Sequence, residues 1–105
     1  MRHEIILAPE AKEDFKALQA YDRAAVREAM EKHLRYEPTR TSKSRIKRLR
    51  SMRQPQYRLL VGAHRVFYDV RDDSVEVLAI VPKPKAAEWL ERYGEPEPDN
   101  EESEA

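Results

Sequence analysis

The periodicity of this chain predicts an α+β fold: an antiparallel sheet of about four strands packed on an N-terminal helical hairpin, with a C-terminal helix, in the order β-α-α-β-β-β-α. Three observations predict it. Apolar residues fall at helical spacing through the first third of the chain and alternate from about residue 57 to residue 81. Proline and glycine stand at the joints between these stretches. At 105 residues the chain has room for one domain with one modest core.

Each element has its own local reason. Residues 3–8 (HEIILA) are a short run rich in isoleucine that stops at Pro9, which reads as a strand followed by a helix with proline at its start. Ala11, Phe15 and Leu18 then share one helical face. Asp22 reads as the N-cap of a second helix whose apolar face is Val26, Met30 and Leu34 and which ends before Pro38. The joint at Ala20, Tyr21 and Asp22 is short, so the two helices should form an antiparallel hairpin.

After a polar loop at 39–44 the period changes to two. Ile46 and Leu49 mark a weak, basic strand suited to a sheet edge, where charge discourages aggregation. Residues 57–61 and 65–70 are two clear strands around Gly62 and Ala63, a hairpin signal. Asp72 and Asp73 mark the next turn, and 75–81 is the last strand, stopped by Pro82 and Pro84. Residues 86–93 read as a terminal helix ended by Gly94. The domain is therefore expected at 1–94. Residues 95–105 (EPEPDNEESEA) are expected as an acidic disordered tail, too polar to bury themselves.

Net charge is zero, but it is polarised. Residues 1–90 carry 19 Lys and Arg against 13 Asp and Glu, while 91–105 carry one Arg against seven acids. Between Glu37 and Asp69 there is no acid at all, only Arg40, Lys43, Arg45, Lys47, Arg48, Arg50, Arg53, Arg58 and Arg65. A surface built only for solubility usually mixes signs, so this stretch points to a polyanionic partner. The acidic tail either solubilises the chain or folds back over the basic body.

The rest of the composition narrows the chemistry. No cysteine means no disulfide, no thiolate nucleophile and no Cys-based zinc site, and His3, His33 and His64 lack metal-ligand spacing. No cofactor or metal is expected. No run of about 18 apolar residues spans a bilayer and no secretory signal opens the chain, so a cytoplasmic protein without a membrane partner is expected.

The hairpin yields one sharper inference. With Gly62 and Ala63 as the central turn residues, Leu60 faces Arg65 and Arg58 faces Phe67. Tyr57, Leu59, Val61, Val66, Tyr68 and Val70 then form the core face, and Arg58, Leu60, Arg65 and Phe67 the other. That second face carries two guanidinium groups on rigid strands, a geometry suited to phosphate. Leu60, Phe67, Leu78 and Ile80 are expected to receive the last helix through Trp89, or a segment of a partner.

The segment IKRLRSMRQPQYRLLVGAHRVFYDV, followed by VEVLAIVPKPKAAEWLERY, resembles the RelE/ParE superfamily of bacterial type II toxins, closest to the RelE-like branch. The resemblance covers about residues 1–93. It implies a toxin that enters the ribosomal A site and cuts mRNA there without a metal, as an endoribonuclease or mRNA interferase inhibiting translation. A 2′-hydroxyl attacks the adjacent phosphate, leaving a 2′,3′-cyclic phosphate and a 5′-hydroxyl. The implied partners are the ribosome, mRNA and a cognate antitoxin, with which the toxin forms a hetero-oligomeric complex.

Carried over by position, Arg65 matches the family's hairpin arginine and should stabilise transition-state charge. Arg58 stands at an active-site lysine. Lys83 and Lys85 flank the place of an expected arginine, taken here by Pro84, and are the general-base candidates. Tyr93 lies one turn beyond the helix tyrosine position, which Leu90 occupies. Arg45, Lys47, Arg48, Arg50 and Arg53 are expected to bind RNA phosphate generally. Leu60 and Pro84 depart from the family pattern, which keeps two alternatives open: a ParE-like toxin that inhibits gyrase, and a catalytically degenerate toxin that retains only antitoxin binding.

Overall fold

The computed structural model describes residues 1–98. It contains β1 (Glu4–Leu7), α1 (Pro9–Ala17), α2 (Ala20–Leu34), β2 (Ile46–Arg48), β3 (Met52–Gln54), β4 (Tyr57–Val61), β5 (His64–Val70), β6 (Ser74–Pro82), a 3₁₀ turn (Lys83–Lys85), α3 (Ala86–Tyr93) and β7 (Glu95–Pro96). No described helix is long and apolar enough to cross a membrane.

Helix α1 opens on Pro9 after an extended Ala8, where the missing proline N–H costs no helical bond. Helix α2 begins at Ala20 with Gln19 as its N-cap, three residues before the expected cap at Asp22. Leu18 leaves the helical conformation to pack against the core, and Arg23 Nη2 donates to the Leu18 carbonyl at 2.6 Å, holding the joint. Asp22 instead occupies the first turn of α2, where a carboxylate complements the helix dipole.

The main sheet has five strands in the order β1-β6-β5-β4-β2. One expectation changes here: β1 joins the sheet parallel to β6, with Ile5 opposite Val75 and Leu7 opposite Val77. Hydrophobic pattern says which face a four-residue strand buries, but not which sheet edge it takes. The second change is a separate two-stranded sheet of β3 and β7. Its sequences, MRQ and EP, are too short and polar to show alternation.

One face of the main sheet carries the larger core. Val26, Met30 and Leu34 of α2 are buried with Leu59, Val66 and Tyr68. Tyr68 stacks on Tyr57 with ring centroids 5.5 Å apart, and its hydroxyl donates to the Pro38 carbonyl at 2.6 Å. Burial, reinforced by Tyr57, raises the Tyr68 pKa far above the phenol range. Both tyrosines are thus core residues, as their alternation predicted.

The opposite face holds a second cluster of Phe67, Ala79, Val81 and Ala86, joined by Leu49, Trp89 and Leu90. Phe67 and Trp89 stack at 5.0 Å and 5°, so α3 docks through Trp89. Ile80 does not join it. The register shifts so that Phe67 pairs with Ala79 but Tyr68 with Val77, leaving Leu78 bulged and reversing the alternation. Val75, Val77 and Ile80 therefore face α1 and α2, while Ala79 and Val81 face α3. The Ile80 amide is taken by Asp14 Oδ2 of α1 at 3.0 Å.

Side-chain amides fix the turn between β3 and β4. Asp69, 6% exposed, accepts from Gln54 Nε2 and the Gln56 amide, both at 2.8 Å, and Gln56 Oε1 accepts from the Val70 amide. At the end of α3, a Cβ on Gly94 would lie 2.5 Å from both the Leu90 carbonyl oxygen and Met52 Cε. This close approach lets the chain continue into β7, where the Glu97 amide donates to the Ser51 carbonyl at 2.8 Å. Residues 95–97, where the acidic disordered tail was expected to begin, thus pair with β3 and Ser51. Residues 99–105 of that expected tail lie outside the described residues.

Candidate RNA-binding and cleavage face

Gly62 adopts φ 56°, a left-handed conformation that glycine reaches without strain, and it closes a two-residue turn in which Val61 pairs with His64. The register follows: Leu60 opposes Arg65, and Arg58 opposes Phe67. On the other side of β4, Lys47 opposes Arg58. Since Ile46 and Leu59 point into the α2 core, alternation sends Lys47 and Arg58 to the α3 side. Three adjacent strands therefore place Lys47, Arg58 and Arg65 on one face.

Directly opposed like charges weaken a sheet. Lys47 and Arg58 are such a pair, with no acidic residue opposite either of them. Arg58 is half-buried, and its Nε is buried without a hydrogen-bond partner. A buried donor in that state costs about 1–3 kcal/mol, more on a charged group. An anion on this face would offset the repulsion between Lys47 and Arg58.

Arg65 is held more firmly. It is 9% exposed, and Nη1 donates to the carbonyls of Gly62 and His64, each at 3.0 Å. One amine thus locks the guanidinium to the turn, and Nη2 has no partner among the described residues. Leu60, directly across from it, is half-buried and offers no charge.

The remaining candidates divide between two ends of α3. The Lys83 amide donates to the Ala63 carbonyl at 2.7 Å, so the 3₁₀ turn carrying exposed Lys83, Pro84 and Lys85 sits against the hairpin turn, at the Arg65 end. Tyr93 ends α3, eight residues long, about 12 Å farther along its axis. There Tyr93 tilts against Trp89 at 5.7 Å and lines a hollow with Pro9, Gln54 and Leu78. The fold puts Lys47, Arg58 and Arg65 on one face and the Lys83–Lys85 turn beside its Arg65 end, with Tyr93 at the other end of α3.

The five cations expected to bind RNA generally are not all on one face. Lys47 joins the face just described, a placement that required the β2–β4 register and that composition alone does not show. Arg48 opposes Tyr57 and lies over its ring at 5.4 Å. It donates to the Leu49 and Gln56 carbonyls at 2.8 Å and meets Glu97 at 3.8 Å. Arg53 pairs with Glu95 at 2.9 Å. Arg50 is exposed beside Ser51, whose φ of 58° turns the chain. Arg45 reaches the α2 side, where it borders a cleft with Lys32 and His33.

Among the described residues, no group of three or more His, Cys, Asp or Glu side chains is arranged to hold a metal ion. What this face can do is bind a phosphodiester through several cations and stabilise added negative charge on it.

Comparison with known proteins identifies the architecture. Residues 5–85 match the family model described as the ParE toxin of the type II toxin-antitoxin system parDE. A chain of the archaeal RelE-RelB complex from Pyrococcus horikoshii OT3 superposes with a TM-score of 0.65 at 22% identity, covering 79% of this chain and 97% of that one. The toxin-antitoxin complex RelBE2 from Mycobacterium tuberculosis gives 0.65 at 24% identity, covering 78% and 99%. A mutant of E. coli toxin RelE in the free state gives 0.65 at 20% identity, covering 87% and 93%. No curated protein matches the sequence.

Proposed function

The chain belongs to the ParE toxin family of type II toxin-antitoxin systems, within the RelE/ParE superfamily, and from that premise we propose that it is a RelE-like mRNA interferase, a ribosome-dependent endoribonuclease restrained by a cognate antitoxin. The observation that carries this reading is the convergence of Lys47, Arg58 and Arg65 on one rigid sheet face, with no acidic residue opposite any of them.

Cleavage by a 2′-hydroxyl needs stabilisation of the extra charge on a five-coordinate phosphate, removal of the 2′ proton and protonation of the departing 5′ oxygen. Arg65, fixed through Nη1, presents Nη2 to the phosphate. Arg58 supplies the second fork from the neighbouring strand. With Asp69 committed to Gln54 and Gln56, an amine takes the proton, from Lys83 or Lys85 at the rim or from Lys47 on the face, and another of these lysines, as its ammonium, protonates the departing 5′ oxygen. The products are a 2′,3′-cyclic phosphate and a 5′-hydroxyl.

An antitoxin partner is supported by the solved relatives, two of which are complexes of a toxin with its antitoxin. Ribosomal action places the protein in the cytoplasm. Primer extension on mRNA from translating ribosomes should show new ends when the chain is added, and Arg65→Ala should abolish them. Unchanged mRNA with the wild-type chain would refute the reading.

One competing reading has its own observations. The family model is that of ParE toxins, and Leu60 and Pro84 leave two site positions without charge. A gyrase inhibitor of ParE type would block supercoiling and leave mRNA intact, so a gyrase supercoiling assay beside the primer extension separates the two.

A further inference from the structure

On the opposite side of the sheet from the cleavage face, the C-terminal half of α2 and the segment leading into β2 enclose a cleft of about 330 Å³. It is lined by Lys32, His33, Glu37, Arg40, Ser42 and Arg45 over the buried Ile46. A second hollow of about 230 Å³ shares Lys32, His33 and Arg45 and reaches Glu28 and Val61. A third continues along the outer edge of β2 past Ser42, Lys43 and Lys47. The cleft is therefore one end of a cationic track that rounds the sheet edge and ends at Lys47, opposite Arg58.

The charge within the cleft is unbalanced. Arg40 pairs with Glu37 at 3.2 Å, and Glu28 lies in the adjoining hollow. Lys32 has no acidic partner among the described residues, and the Arg45 side chain makes only a 3.4 Å contact to the Leu60 carbonyl. His33, between them, has its pKa pulled below the usual imidazole value by burial and then by the charges of Arg45 and Lys32. Backbone carbonyls and hydroxyls do not neutralise two cations; an anion does.

We infer that this cleft is a second phosphate-binding site, in which Lys32 and Arg45 grip a backbone phosphate of an RNA that continues around β2 to the cleavage face. The identity of the anion as RNA rests on the proposed function; the phosphate site itself does not. Arginine and lysine together suit a phosphate, which accepts the planar fork of one and the point charge of the other. The alternative anion, a carboxylate of an acidic protein, would be served by the same charges, but the track leads to the residues that handle the phosphodiester.

The test follows the His33 ring by NMR across pH in the full chain, with inorganic phosphate as the probe. A bound phosphate beside the imidazole should move the His33 titration upward by about 0.5–1 pH unit, and the Lys32→Gln/Arg45→Gln chain should lose that response. The same substitutions should lower the slope of log affinity for single-stranded RNA against log salt by about 1. An equal His33 response in the double variant, or no response in the wild-type chain, would overturn the site. A response to an acidic peptide but not to phosphate would overturn it too. Failure of mRNA cleavage would refute the proposed activity and leave the phosphate result standing, so the two claims fail separately.

Discussion

Replacing Arg65 with alanine removes a group to which the proposed function gives a chemical as well as a structural role, and the two effects have different sizes. Its Nη1 holds the Gly62 and His64 carbonyls at 3.0 Å. Those acceptors lie at an exposed turn and can take water instead, so their loss costs about 1–2 kcal/mol. For a domain of this length that is a fall in Tm of about 5–15 °C. A typical domain with about 5–15 kcal/mol of stability stays almost wholly folded at 25 °C after such a loss. Loss of a preorganised charge stabiliser, by contrast, slows the chemical step by about 10²–10³. Single-turnover cleavage of ribosome-bound mRNA at 25 °C, with the folded fraction followed by circular dichroism, separates the two. Arg65→Lys keeps the charge without the fork and should fall between wild type and alanine. If Arg65→Ala cleaves at the wild-type rate, or loses only what its unfolded fraction explains, the assignment of Arg65 to the reacting phosphate is refuted.

Three further outcomes follow from other parts of the molecule. The double variant Glu95→Gln/Glu97→Gln frees Arg53 and Arg48 and should tighten RNA binding about 2–10-fold at low salt, with under about 1 kcal/mol change in stability because both pairs are exposed; fluorescence anisotropy at two salt concentrations checks it. Tyr68→Phe strands the Pro38 carbonyl and should cost about 1–3 kcal/mol, read from denaturant midpoints at constant m-value. His33 is more acidic in the folded chain than in the unfolded one, so the unfolded state takes up the proton first. Stability should therefore fall as pH drops below about 6.5, and His33→Gln should flatten that slope in thermal melts between pH 5 and pH 7.

Much of the fold was legible because periodicity and punctuation agreed. Pro9, the Val26, Met30 and Leu34 stripe, the Gly62 turn and Gly94 each lie where elements begin, pack or end. Readings that depended on long-range pairing changed. The Leu78 bulge reverses the alternation of β6 and sends Ile80 to the α2 core, because one extra residue shifts every later side chain to the other face. The short β3 and β7 strands carry no period to detect, yet they bring Glu95 and Glu97 to Arg53 and Arg48.

The candidate site divides in the same way. Arg58 and Arg65 share a face through a local hairpin, which sequence can register residue by residue. Lys47 joins them only through the β2–β4 pairing across an eight-residue connection, and its neighbour Arg48 faces away. The separation of Tyr93 from the Lys83–Lys85 turn reflects the length of α3, not the spacing to any motif.

The most direct measurement is the mapping of mRNA termini after incubation of the purified chain with translating ribosomes and with naked mRNA. The predicted result is new ends within the codon at the ribosomal A site, carrying a 2′,3′-cyclic phosphate upstream and a 5′-hydroxyl downstream, and no such ends on naked mRNA. Intact mRNA on ribosomes, with gyrase supercoiling arrested by the same preparation, would contradict it.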